Sequence, residues 1–312
     1  MKPVIITVSL IAMALYLPMI KYIMKRPRSL GRFAPFAVDE KRRRLPGETI
    51  RREADMLVID ILLPVVAIPA LLLIPVYTVF LTTAPVSIWI AVIGCVAGVA
   101  YCLYTLINKY QLFCNAQLGA EGEEYTGQEL NQLMKHGVDV FHDVPYAYGN
   151  IDHIVVGWDF VFVVETKAVR KPKGKKKNSR LKDVTYNGTT LSFPHRTDNS
   201  AIEQALIHKK SFEKAIKKQI GVDVPVKAVV ALPGWFVSSD RNHDVMVINP
   251  KNGLALTGAL GEPRQTEGRK RVITYIDTIA RTNLSSRKTD PNADLFLNND
   301  MQFRYENHKL GE

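Results

Sequence analysis

The chain is poor in cysteine, and its histidines form no recognisable ligand pattern. Only three of the 312 residues are cysteines, and no Cys-x-x-Cys pair occurs. This excludes a disulfide framework and a zinc cluster, and it fits a reducing compartment. A glycine-rich phosphate loop and an evident Ser-His-Asp order are missing as well. We assign no role to six histidines that lack paired ligand spacing, namely His136, His142, His153, His195, His208 and His243.

Long apolar runs occur only in the first third of the chain, at residues 4–20, 57–81 and 86–107. A helix that crosses a bilayer needs about 20 such residues. The second and third runs are separated by only a few residues, so they predict a helical hairpin. Three prolines inside the second run leave open a kinked or re-entrant element in place of a continuous span.

Basic residues predict the direction of these spans. Residues 21–55 hold eleven Lys or Arg against five Asp or Glu, and the whole chain has a net charge of +11. The positive-inside rule places such a segment in the cytoplasm. We therefore predict a protein of the inner, cytoplasmic membrane with three spans, an external N-terminus and a cytoplasmic C-terminal domain. The simplest further role of the basic segment is contact with anionic lipid head groups.

The rest of the chain predicts a soluble α/β domain. Helical and strand patterns alternate after residue 110, which indicates a mixed central sheet flanked by helices. We expect a helix over 115–137, a strand over 138–144, hairpins over 151–167 and 183–194, a helix from Asn199 or Ser200 to 220, strands over 226–232 and 245–249, and a helix over 271–281. The second hairpin is expected to turn at Asn187-Gly188 in a type I′ turn.

These patterns divide the chain into five predicted segments. In order, they are a membrane helix (1–24), a basic cytoplasmic linker (25–56), a membrane hairpin (57–108), the soluble domain (112–281) and a polar tail (282–312).

The segment 151–167, IDHIVVGWDFVFVVETK, predicts two apolar strands joined by a turn at 157–159. If the strands pair antiparallel about that turn, Asp152 lies opposite Glu165 to within one residue. Opposite residues share a face, about 5 Å apart. Glu165 and Lys167 share a face as well, because side chains alternate along a strand. Two carboxylates and an amine are thus predicted at one end of an apolar hairpin.

This combination is what metal-dependent hydrolysis of a phosphodiester needs. Two carboxylates hold Mg²⁺ or Mn²⁺, and the backbone carbonyl of Thr166 is a suitable third oxygen. Lys167 would orient the attacking water and favour its deprotonated form. Glu123 in the preceding helix completes the set, although Glu121 and Glu124 fit equally well on spacing alone. The simpler alternative is an exposed acid pair with Lys167 as its salt bridge, which contributes little stability.

A dense basic segment follows the hairpin directly. It has no acid, and it would neutralise several phosphates of a nucleic acid. A solvated loop or a contact with the lipid surface is the alternative. No aromatic residue lies within it, so base-specific recognition is not indicated. The candidate nucleic-acid-binding residues are Arg170, Lys171, Lys173, Lys175, Lys176, Lys177 and Arg180.

At these residues the chain resembles the nuclease-related domain (NERD) family of the PD-(D/E)XK phosphodiesterase superfamily. The resemblance covers about residues 119–232. Serine stands at position 200, where proline is usual in that family. Four pieces match in order, namely Gly119-x-x-Gly122-Glu123, the IDHIVVG segment with Asp152, the VVETK segment with Glu165 and Lys167, and Asn199-x₄-Gln204.

The resemblance implies a restriction-endonuclease-like core with the order α-β-β-β-α-β and a Mg²⁺-dependent nuclease. By position, Asp152 and Glu165 would bind the metal and Lys167 would be catalytic. Glu123 would be accessory, and Gln204 would pack or hydrogen-bond near the site.

We therefore expect a membrane-anchored nuclease that cuts DNA on the cytoplasmic face, in phage defence or plasmid transfer. RNA stays open as a substrate. Two other functions stay open too. One is an inactive tether that binds nucleic acid at the membrane, and the other is a structural membrane protein whose basic regions touch lipid.

Overall fold

The computed structural model describes residues 43–82, 84–146, 149–172, 183–239, 243–252 and 254–281. The predicted first span, most of the linker and the polar tail lie outside these residues. The described chain divides into two compact units. One holds residues 51–117, and the other holds residues 43–50 together with 118–281.

The first unit consists of parts of two long helices, α1 (Glu48–Leu81) and α2 (Pro85–Asn131). Helix α1 continues without a break through its three prolines. The described helix therefore lacks the break that a re-entrant element would need. Both helices are long and apolar enough to cross a membrane, and only 6% of their most apolar windows is buried. A core helix of a soluble protein would be mostly buried. Asp60, the one acid in the second apolar run, lies 2.8 Å from the Lys109 ammonium.

The helix predicted over 115–137 is not a separate element. Helix α2 continues from the third apolar run to Asn131 without a break. A 3₁₀ turn, Gln132–His136, follows and ends at Gly137, whose φ of 76° is left-handed. Glycine adopts this conformation readily, so the predicted helix stop at Gly137 is confirmed. The continuity arises because residues 108–118 contain no proline and no capping signal strong enough to stop a helix.

The main sheet of the second unit has five strands in the order β1-β2-β3-β7-β9. Strands β1, β2 and β3 pair antiparallel. Strand β7 pairs parallel with β3, and β9 pairs parallel with β7. The fold is therefore mixed α/β and consistent with the predicted restriction-endonuclease-like core. The strands are β1 (Asp139–Tyr146), β2 (Gly149–Val156), β3 (Val161–Thr166), β7 (Val226–Ala231) and β9 (Val245–Ile248).

A second, four-stranded sheet was not predicted in full. It contains β4 (Asp183–Tyr186), β5 (Leu191–Ser192), β6 (Thr197–Asp198) and β8 (Phe236–Ser239), in the order β6-β5-β4-β8. The predicted type I′ turn is wrong. That turn needs positive φ at both central residues, whereas here only Gly188 has it, at 99°. The Asn187 side chain instead accepts hydrogen bonds from the Thr189 and Thr190 amides.

Helices cover both faces of the main sheet. On one face lie α3 (Ser200–Ile220) and α5 (Glu267–Ala280), which pack Phe212, Ile216 and Val272 against β2 and β3. On the other lie the end of α2 and the short α4 (Leu254–Thr257), which contribute to a separate apolar cluster. Strand β7 is buried at all but one position, as a central parallel strand should be.

One buried arginine attaches helix α5 to the sheet. The Arg269 guanidinium is 2.8 Å from the Asp139 carboxylate and donates to the carbonyl oxygens of Gly157 and Gly137. It also lies 4.4 Å from the centre of the Trp158 ring. The helix begins at Glu267, earlier than the predicted 271, because the Thr266 side chain caps it by accepting the Arg269 amide.

Residues 43–50, which we call the strap, belong to the same unit as the main sheet although the two apolar helices separate them in sequence. Asp143 on β1 accepts hydrogen bonds from the amide and the hydroxyl of Thr49, at 3.1 and 2.6 Å. A side chain on Gly47 would lie 2.8 Å from the Ala120 carbonyl oxygen, so the strap approaches α2 too closely for any residue but glycine.

Candidate active site

Strands β2 and β3 place two acids at the same end of the main sheet. The observed pairing ends at His153 with Val164. Carried one residue further, this register sets Asp152 opposite Glu165, as the sequence predicted to within one residue. The Thr166 amide donates a hydrogen bond of 2.7 Å to Asp152 Oδ2. The Glu165 carboxylate points toward α3, since its Oε2 lies 3.4 Å from His208 Nδ1 on that helix.

A third acid, Glu123, interacts with Asp152. Glu123 on α2 is 5% exposed and Glu165 is 6% exposed, so both are buried. Burial raises the pKa of Asp152 well above its ordinary value, and repulsion from Glu123 and then Glu165 raises it further. The hydrogen bond from Thr166 lowers the pKa only in part. Two buried carboxylates, Glu123 and Glu165, beside the half-buried Asp152 are costly unless a cation offsets their charge.

Helix α3 brings a histidine to this cluster. His208 is 3% exposed, and its Nδ1 lies 3.4 Å from Glu165 Oε2. Neither of these two atoms has a hydrogen-bond partner among the described residues. The sequence assigned His208 no role. The signal that could have found it is its spacing, since Ser200, Gln204 and His208 follow at every fourth position and so share one face of the helix.

Lys167 follows Glu165 at the end of β3, and its amide extends the ladder to the Ala231 carbonyl at 2.9 Å. Its Nζ donates to Ser200 Oγ at 3.2 Å and lies 3.9 Å from Asp198 Oδ2. Asp198 in turn accepts the Ser200 amide and hydroxyl. The Lys167 side chain therefore contacts residues at the start of α3. Asn199 is the N-cap residue of this helix, as predicted, but its side chain makes no capping hydrogen bond and donates to Glu203. The Asp198 carboxylate accepts the Ser200 amide in its place.

Comparison with known families agrees with this geometry. The sequence profile described as "Nuclease-related domain" (NERD) matches residues 118–233. Residues 118–233 form a nuclease-related domain. The match begins inside α2 and ends just after β7, so it contains Glu123, Asp152, Glu165, Lys167 and His208. No curated protein and no solved structure matches the chain significantly.

Several parts of the described unit lie outside the matched residues. The strap precedes them, and β8, β9, α4 and α5 follow them. The fifth strand of the main sheet, β9, and the covering helix α5 therefore come from residues that the family profile does not match.

Gln204 is half-buried on α3, one turn before His208 and one turn after Ser200. This position shares a helix face with Ser200 and His208, which contact Lys167 and Glu165. Its predicted role stays a prediction.

Two of the predicted nucleic-acid-binding residues are described, and both Arg170 and Lys171 are exposed. The Lys171 ammonium lies 5.8 Å from the centre of the buried Trp235 ring, whose indole N–H donates to the Val169 carbonyl. The other five, Lys173, Lys175, Lys176, Lys177 and Arg180, lie outside the described residues.

The acid cluster suits a hard divalent cation. Within the described residues, no three His, Cys, Asp or Glu side chains are spaced as a complete metal cage. Mg²⁺ does not need such a cage, because it keeps several waters and takes one or two carboxylates. The raised pKa of Asp152, which repulsion from Glu123 and Glu165 increases, is the feature that fits a cation here. Asp152, Glu165 and the Thr166 carbonyl would be the ligands, with Glu123 as an outer acid.

Proposed function

We propose that this chain is a membrane-anchored, metal-dependent nuclease that hydrolyses phosphodiester bonds of DNA. The observation that carries the proposal is a cluster of three acids, the buried Glu123 and Glu165 beside the half-buried Asp152, inside a nuclease-related domain. Clusters of like charge with a strongly raised pKa are typical of functional sites rather than of scaffolds. An exposed salt-bridged pair would show neither the burial nor the mutual repulsion of these acids.

Each group then has a role in the hydrolysis. Asp152, Glu165 and the Thr166 carbonyl would hold the cation, which would lower the pKa of water and offset the charge on the phosphate. The Lys167 ammonium hydrogen-bonds the attacking water oxygen and stabilises the negative charge that develops on it. As that oxygen bonds to phosphorus, the water gives up its proton to solvent, the bond to the leaving sugar oxygen breaks, and the leaving oxygen takes a proton from solvent.

Membrane anchoring is the second part of the proposal. The two exposed apolar helices α1 and α2 support it, and the basic residues of segment 21–55 support a cytoplasmic domain. With the run at 4–20 as a further span, the N-terminus would be external. An anchored nuclease would act on DNA that enters or leaves the cell, which is why phage defence and plasmid transfer are the settings we propose.

The leading alternative is a tether that binds nucleic acid without cutting it. The acid cluster argues against a tether, because carboxylates near phosphate weaken binding unless a cation lies between them. No specific feature of the described residues favours the tether.

The first test is cleavage of supercoiled plasmid by the full chain in detergent micelles with Mg²⁺. We expect nicked or linear product, and we expect Asp152→Asn, Glu165→Gln and Lys167→Met each to lower the rate by about 10²-fold or more. A single-stranded RNA of similar length, run in parallel, tells whether the site prefers DNA.

The matched control is Asp223→Asn, which removes an acid whose side chain is 88% exposed and distant in sequence from the site. It should cut as well as wild type. DNA binding without cleavage under Mg²⁺ or Mn²⁺ would support the tether, and an active Lys167→Met variant would show that the proposed role of the lysine is wrong.

A further inference from the structure

One contact in the site belongs to no motif that the sequence offered. The His208 Nδ1 and the Glu165 Oε2 face each other at 3.4 Å, and both side chains are buried. Neither atom hydrogen-bonds elsewhere within the described residues. Buried polar atoms without partners are rare, and each one that persists needs an explanation.

The position of His208 on α3 limits what it can contact. The helix packs on β3 through Phe212 and Ile216, which are fully buried one and two turns further along. These apolar contacts fix the distance between the helix and the strand. A shift of a few tenths of an ångström is enough to bring the imidazole nitrogen within hydrogen-bond distance of the carboxylate.

We propose that His208 is a positioning residue for the metal ligand Glu165. Its Nδ1–H donates to Oε2, which holds the carboxylate in one orientation and leaves Oε1 for the cation. This inference rests on the proposed function, since it assigns Glu165 to the metal. Carboxylates that ligate metals are themselves hydrogen-bonded, and loss of such a partner typically costs 10–100-fold in metal affinity.

The test measures Mn²⁺ binding to the full chain in detergent micelles, from the loss of the free-ion EPR signal, with no nucleic acid present. The informative pair is His208→Asn and His208→Gln. The asparagine amide nitrogen occupies nearly the place of Nδ1, whereas that of glutamine occupies the place of Nε2, which is directed away from Glu165. We expect the Asn variant to bind Mn²⁺ nearly as wild type does and the Gln variant to bind it about 10-fold more weakly or worse.

Cleavage gives a second readout that a purely structural role would not move. The rate of the Gln variant should recover as the Mg²⁺ concentration is raised, because only the affinity for the cation is reduced. His208→Leu should behave as Gln does. If Leu does not fold, as judged by thermal unfolding without metal, the Asn and Gln pair still decides.

Equal Mn²⁺ affinity of the Asn and Gln variants would overturn this inference while leaving the proposed nuclease intact. Absence of Mn²⁺ binding by the wild type would overturn both. The Asp152→Asn variant gives the level of Mn²⁺ binding expected when the proposed metal site is lost.

Discussion

Among single residues, Asp152 has the most unusual environment in the described chain. Repulsion from Glu123, Glu165 and Asp143 acts on its half-buried carboxyl, and the Thr166 amide donates a hydrogen bond that favours the charged form. Without a cation, this residue therefore destabilises the fold whenever it is ionised. Proteins keep such residues where function needs them, and replacement then raises stability at the expense of activity.

The sign of the pH dependence follows from this environment. The folded-state pKa of Asp152 lies above its ordinary value of 3.8, so the folded chain binds the proton more tightly than the unfolded chain does. The stability that protonation provides is complete below about pH 3.8 and is lost as the pH rises through the folded-state pKa.

Asp152→Asn should therefore raise the free energy of unfolding of the metal-free protein by about 0.5–2 kcal/mol near neutral pH, with no gain at pH 3.5. Denaturation followed by tryptophan fluorescence at several pH values measures it, since Trp235 is fully buried. His142, whose pKa burial lowers to about 4, destabilises the fold at acid pH in both proteins, so the difference between them cancels its effect. An equal or larger gain at pH 3.5 would contradict the prediction.

At the residue scale, the sequence was most informative about the acids of the hairpin. Strand alternation and one tight turn were enough to bring Asp152 opposite Glu165, because both residues belong to one local element. His208 could not be predicted in the same way. Its contact with Glu165 joins residues on different elements, and the approach of α3 to β3 depends on packing rather than on spacing.

At the scale of elements, the strap shows how much a domain boundary depends on tertiary contacts. The sequence assigned residues 25–56 to a linker and began the soluble domain at residue 112, yet residues 43–50 belong to the same compact unit as the sheet. Asp143 is central to this attachment. It is buried, has a left-handed φ of 47°, and accepts hydrogen bonds from Thr49 and Asn150.

Asp143→Ala should destabilise the folded chain by about 2–4 kcal/mol. It removes the buried acceptor of hydrogen bonds from the half-buried Thr49 and Asn150, and it leaves an alanine at positive φ. Asp143→Asn keeps an acceptor and tolerates that φ, so it should cost clearly less. Chemical denaturation in detergent measures both variants.

The exposed Asp183 is the matched control, and Asp183→Ala is expected to change the free energy of unfolding by less than about 0.5 kcal/mol. If Asp143→Ala were as stable as this control, the strap would contribute nothing to the domain.

At the scale of the whole molecule, the strap also bears on topology. The compact unit that contains the sheet includes residues from both sides of the apolar helices, namely 43–50 before them and 118–281 after them. If α1 and α2 both cross a membrane, as we propose, the two flanks of the pair lie on the same side of it. The length and apolar composition of the two helices suit such a pair of crossings.

Cysteine labelling can test this arrangement. In a variant without Cys95, Cys102 and Cys114, a single cysteine in place of Ala84, between the two helices, should react with a membrane-impermeant maleimide in intact cells. A cysteine in place of the exposed Asn187 should react only after permeabilisation. The reverse pattern would place the nuclease-related domain outside and overturn the cytoplasmic assignment.

The sequence by itself determined the features that depend on local pattern. Apolar length indicated the two long helices, and strand alternation indicated the register of the acids. The motifs at Gly122-Glu123, Asp152 and Glu165-x-Lys167 indicated the nuclease-related domain. Each of these features is encoded within a few consecutive turns or strands, so a single chain segment carries it.

Only the tertiary structure decided the features that join distant segments. These are the contacts of Lys167 with Asp198 and Ser200, the pairing of β8 in the second sheet, the attachment of the strap to β1, and the contact of His208 with Glu165. The physical reason is the same in each case. The contact energy comes from packing and hydrogen bonds between residues tens of positions apart, and no local periodicity records which of the possible partners will meet.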